Sequence, residues 1–239
     1  YGGAIYSTNS LTVMNSRFED NHAESSRVEQ EETDANPIYW EYRYAGAICS
    51  QNDAVIENCY FKDSSVICRG ESIIANSTFT KTTDVLETSS HAKISNCNFT
   101  QNRGISIKPN GKTIIGNCNF MNNTNDFTLI YSYGNVEITD SNFTLSDAIS
   151  IFSANYLHAA NCRFENNNQT AIKATNTTVE NSIFTNNKDS LVGGILADYL
   201  TVKNCNFTNN LECDVISIMS ADVDGKSYLG ETAFDSNRS

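Results

Sequence analysis

Ile94-Ser95-Asn96-Cys97-Asn98-Phe99-Thr100-Gln101-Asn102 is one copy of a frame that recurs through the whole chain. Aligned on its phenylalanine, it brings Phe18, Phe61, Phe79, Phe99, Phe120, Phe143, Phe164, Phe184, Phe207 and Phe234 into one column. After a first gap of 43, the spacings run from 18 to 27 residues, within the range of solenoid repeats. Two positions before each Phe the residue is small: Ser16, Cys59, Ser77, Cys97, Cys118, Ser141, Cys162, Ser182, Cys205 or Thr232. Three before, it is Asn in all copies except Asp140 and Glu231; five before, it is apolar from Val13 to Leu229. Three after, it is Asn in seven copies: Asn21, Asn102, Asn123, Asn167, Asn187, Asn210 and Asn237.

These offsets imply a geometry. Strand residues two apart face the same side, so the small residue and the Phe point inward together, as do Leu11 and Val13. Between these pairs the inward phase slips by one residue, at the Asn. A slip of one is a corner, and Asn suits it because it tolerates left-handed backbone angles and bonds locally through its amide. The second Asn is expected to mark the next corner, followed by a third alternating stretch such as Ala148-Ile149-Ser150-Ile151 or Val215-Ile216-Ser217-Ile218. A lone unit of this kind cannot bury its apolar side chains, but units stacked at about 4.8 Å align Phe on Phe and Asn on Asn. The expected fold is therefore all-β: a right-handed, single-stranded parallel β-helix of about ten coils, roughly 48 Å long, filling residues 1–239 as one segment. Buried corner asparagines would bond up and down the stack as a ladder.

The leucine-rich repeat shares these offsets. It fits less well: Leu is sparse, Ser or Cys sits where Leu should be, and the stretch after the Asn alternates in twos with β-branched residues rather than running helical.

Composition narrows the function. Asn, Ser and Thr number 32, 26 and 22 of 239 residues, which favours turns and strands over helices. Sixteen Lys plus Arg against 28 Asp plus Glu leave a net charge of −12, which disfavours nucleic-acid partners. No apolar run is long enough to span a bilayer, and the first residue is Tyr1, so the chain reads as a piece of something longer, with any membrane anchor outside it.

Several coils open with glycine: Gly2-Gly3-Ala4-Ile5, Ala45-Gly46-Ala47-Ile48 and Gly193-Gly194-Ile195-Leu196. Together with F-x-x-N, this resembles the polymorphic outer membrane protein repeats of chlamydial surface proteins, which carry G-G-A-[ILV] and F-x-x-N. The F-x-x-N half covers nearly the whole chain; G-G-A-I is intact once. The resemblance implies a pectin-lyase-like solenoid in an extracellular or cell-surface protein acting in adhesion. Its partner would be a host or neighbouring-cell surface protein or glycan, or other copies of itself.

Several residues are candidates for chemistry. The first gap of 43 holds one coil plus an insertion over residues 22–44, which opens with an acidic run and ends in Tyr39, Trp40, Tyr42, Arg43 and Tyr44. That is the composition of a binding hot spot, and equally that of a lid over the solenoid flank. Of eight cysteines, five fill the small slot, where the plain reading is a buried small side chain; Cys97 with Cys118, and Cys49 with Cys68, are the candidate disulfides. Three scattered His offer no metal spacing, and no cofactor is implied. Eight N-x-[ST] sequons occur, at Asn76, Asn98, Asn122, Asn142, Asn168, Asn176, Asn206 and Asn237, with Asn98, Asn142 and Asn206 expected to point outward. For a polysaccharide lyase or hydrolase, the best outward acid–base pair is Glu137 with His158; a non-enzymatic role is the preferred expectation, and a structural filament component is its main rival.

Overall fold

The computed structural model describes residues 3–22, 46–103, 107–188, 192–210, 214–218 and 228–235. Among these, the regular structure is β throughout. Each turn holds three strands, exemplified by Val66–Cys68, Ser72–Ala75 and Thr78–Thr80. The first two strands of successive turns form a 17-stranded sheet and the third forms a 10-stranded sheet. Further along, the first two strands run together as Asp147–Ala160, Ile172–Glu180 and Val192–Lys203, with the corner reduced to a register shift such as that between Ser153 and Tyr156. Pairing is parallel from turn to turn, and the coil is right-handed, as parallel crossovers within a sheet are.

The phenylalanines set the register. Phe61 pairs with Phe79, Phe79 with Phe99, and so on to Phe234. Neighbouring rings lie nearly parallel, with centroids from 4.6 Å (Phe61 and Phe79) to 5.2 Å (Phe79 and Phe99) apart. Phe61 through Phe207 are wholly buried, so eight enclosed turns carry the core between two end turns, at the last of which Phe234 is half exposed. Alongside the rings runs an aliphatic column that includes Ile56, Ile74, Ile94, Ile115 and Ile138, all buried. Truncating one such Phe to Ala costs about 3–5 kcal/mol in a well-packed core.

Both corners flanking the Phe strand are left-handed. The residue three before Phe has positive φ in all ten copies, from Asn15 at 51° to Glu231 at 47°. The second corner falls one residue earlier than the Asn pattern suggested. Its left-handed residue lies two after Phe, as at Asp20, Lys81, Gln101, Leu145 and Asn166, while the Asn three after Phe points inward and is buried at Asn102, Asn123, Asn167, Asn187 and Asn210. There the carboxamides form the expected ladder: Asn167 Nδ2 donates to Asn187 Oδ1 (2.9 Å), and Asn187 Nδ2 to Asn210 Oδ1 (3.1 Å). The same Nδ2 groups also donate to the Phe143 and Phe164 carbonyls.

The small slot has its own logic. Ser77 Oγ donates to the Ala75 carbonyl (2.8 Å), and Cys97 Sγ to that of Ser95 (3.1 Å), so both residue types close the same local bond. Ser additionally accepts from the turn below, as Ser77 Oγ does from the Cys59 N–H (3.1 Å). The opening glycines answer to close packing: a Cβ at Gly46 would collide with the Asn21 carbonyl oxygen, and one at Gly194 with that of Val215. Across the long first gap, Arg17–Glu19 pairs directly with Tyr60–Lys62, so those 43 positions advance the stack by a single turn. Tyr39, Trp40, Tyr42, Arg43 and Tyr44 of the insertion lie outside the described residues.

Candidate functional site

On the first strand of each turn, Ile130 and Ser132 face inward and are buried, which turns Tyr131 outward. The next two turns repeat the placement: Tyr131 pairs with Phe152, and Phe152 with Lys173. The result is an outward aromatic strip. Tyr131 stacks on Phe152 at 4.9 Å and 10°, Tyr133 meets Tyr131 edge-on at 5.0 Å, and the Lys173 ammonium sits 5.9 Å above the Phe152 ring. Tyr133 is 55% exposed. The neighbouring Tyr133 hydroxyl holds the Tyr131 phenol above its ordinary range. On the preceding turn Lys108 follows Ile107, the partner of Ile130, and Glu87 lies beside it in register. Stacked rings with one ammonium over them make a rigid apolar surface on an acidic protein. The sequence pattern carried a hint of it, since Phe152 is one of only two phenylalanines outside the repeat column.

Glu137 and His158 do lie opposite one another in register on the outer face. Each, however, is tied to another group: Lys112 Nζ is 2.9 Å from Glu137 Oε1, and His158 Nε2 is 3.8 Å from Glu180 Oε2. Glu180 is also paired with Lys203 (3.3 Å). The arrangement is a run of half-exposed surface ion pairs on a flat sheet, worth little energetically. Among the described residues, no group of three or more His, Cys, Asp or Glu gathers as a metal site.

The cysteine candidates separate. Cys49 pairs with Ile67, and Cys68 with Ser50, so Cys49 and Cys68 are one residue out of register. Cys49 packs with Ile67 in an apolar pair apart from the core, and alternation along the strand turns Cys68 to the other side. The offset is legible against the repeat Phe, which Cys49 precedes by twelve residues and Cys68 by eleven. Cys97 and Cys118 do occupy the same slot on adjacent turns, and both are present as buried thiols. Each thiol donates to a carbonyl of its own turn, Cys97 to Ser95 and Cys118 to Gly116, and the neighbouring Cys97 thiol together with burial pushes Cys118 far above the ordinary thiol range.

Of the sequons, Asn98, Asn142 and Asn206 are exposed on the outer face of the Phe strand, and Asn98 and Asn142 both pair with Asn119 between them. Asn76, Asn122 and Asn168 are exposed at corners, Asn176 is half-buried, and Asn237 lies outside the described residues.

In-register Phe and Asn columns between left-handed corners define a parallel β-helix solenoid. Residues 85–224, more than half of the chain, match the family model described as the right handed beta helix region, and the chain belongs to that family. No curated protein and no solved structure matches the chain.

Proposed function

We propose that this β-helix is an adhesin-like, non-enzymatic segment of a secreted or surface-displayed protein, and that it engages a partner on a host or neighbouring cell through the Tyr131–Phe152 strip. The observation that carries this reading is the pair of stacked outward rings, edged by Tyr133 and by Lys173, on a rigid sheet. Tyrosine and phenylalanine held rigidly lose little entropy on binding and dominate interface energies. The F-x-x-N frame and the intact Gly2-Gly3-Ala4-Ile5 add the likeness to chlamydial surface repeats. The contacts of Glu137 with Lys112 and of His158 with Glu180 weigh against the alternative of a polysaccharide lyase or hydrolase. Replacing both Tyr131 and Phe152 with Ala should weaken adhesion to a target cell about tenfold or more while the fold persists, because both side chains lie outside the core. Undiminished adhesion overturns the assignment. New reducing ends or unsaturated products from acidic or neutral polysaccharides would replace it with the enzyme reading.

A further inference from the structure

The corner after the Phe strand holds a depression of about 620 Å³ spanning four consecutive turns. Met121 and Leu145 form its apolar part; Asn122, Asn166 and Asn186, with Asn168 and Lys188 from the following segment, surround them. Two features set it apart from other corners.

The first is Leu145. Twenty described non-glycine residues have positive φ, and Leu145, at 55°, is the one apolar residue among them. A bulky side chain is disfavoured in that conformation, and this one is also 54% exposed, so it gains little from burial. Every other turn with a described residue at this position uses a polar one there, from Asp20 to Asn209. A strained and exposed leucine is explained by something that covers it.

The second is the state of the carboxamides. At the corner before the Phe strand, left-handed asparagines bond one another, as Asn117 Nδ2 does to Asn96 Oδ1 (2.8 Å) and Asn204 Nδ2 to Asn181 Oδ1 (3.1 Å). Asn122, Asn166 and Asn186 share that backbone conformation, with Leu145 between the first two, and among the described residues their carboxamides, like that of Asn168, bond to no protein group. Four donor–acceptor pairs and one ammonium therefore converge on an apolar patch.

We infer that this depression is a saccharide site that takes a neutral pyranose. The C–H face of a sugar ring would lie over Leu145 and Met121, and its hydroxyl rim would meet the carboxamides, each of which can donate to one hydroxyl and accept from its neighbour. Lys188 supplies a further donor. Asn122 and Asn168 are themselves sequon residues, so the site is open when both carry bare carboxamides. The inference is independent of the aromatic strip.

The experiment uses the full chain produced in bacteria, without glycans, and titrates it with lactose, maltose, cellobiose and N,N′-diacetylchitobiose while side-chain amide resonances are followed. At least one sugar is expected to shift the Asn166 and Asn186 signals saturably. Leu145→Asn, which relieves the backbone strain, should fold and yet weaken that sugar about tenfold. Shifts from none of the four sugars up to their solubility limits overturn the inference, as does unchanged binding in both Leu145→Asn and Asn186→Ala.

Discussion

Two asparagine-rich columns flank the Phe strand of this solenoid, and they are there for different reasons. The column three before Phe is exposed and left-handed; its carboxamides bond along the surface, as in Asn76–Asn96–Asn117. The column three after Phe is buried, and there the backbone turn is handed to the preceding residue. Asn187 shows how much the buried column carries. Its Oδ1 accepts from the N–H and Nδ2 of Asn167, and its Nδ2 donates to Asn210 and to the Phe164 carbonyl. One column is selected for a conformation and the other for a hydrogen-bonding inventory.

That contrast can be broken by substitution. Asn187→Leu should have the largest effect, about 3 kcal/mol or more in urea unfolding, because it strands several buried polar groups at once. A cost no greater than that of Asn96→Leu would abolish the distinction. Asn96→Val should cost about 1–2 kcal/mol, the penalty for a branched residue in left-handed backbone, whereas Asn96→Gly, which keeps the conformation, should stay within about 0.5 kcal/mol. Leu145→Asn should raise stability by about 1 kcal/mol by the same argument run in reverse.

The smallest effect is expected in the small slot. Cys162→Ser should change stability at neutral pH by less than about 1 kcal/mol, since Ser141 and Ser182 already close the same local bond on neighbouring turns. At alkaline pH the two proteins should part. Burial pushes the Cys162 thiol up to about 11. A thiol raised on folding contributes stability that is complete below its unfolded value, about 8.5, and lost as pH rises through the folded one. Unfolding midpoints measured across that window should fall for the native chain by more than for the serine variant.

The Phe column, the first corner and the small slot were legible in the amino-acid sequence because each repeats one residue type for one physical reason. The second corner was not: Asp20, Lys81, Gln101, Leu145 and Asn166 share a backbone conformation but no side-chain chemistry, and the conspicuous Asn beside them drew the assignment one residue too far. The aromatic strip lay within reach of the same frame, since Tyr131 and Phe152 each lie twelve residues before a repeat Phe, Phe143 and Phe164, but the alignment was carried only across the Phe strand and its flanking corners. Cys49 and Cys68 fail as a pair by a single-residue offset that the frame does carry, Cys49 lying twelve residues before Phe61 and Cys68 eleven before Phe79.

The account rests on turns stacked in register, and spin labels on the outer face of the Phe strand test that directly. Asn98 and Asn142 are two turns apart along this sheet, and Asn98 and Asn206 five. With cysteines at those positions in a background whose native cysteines are replaced by Ser, pulsed dipolar spectroscopy should give separations near about 10 Å and about 24 Å, a constant step of about 4.8 Å per turn. Separations that do not scale with the number of turns would contradict the stacked solenoid.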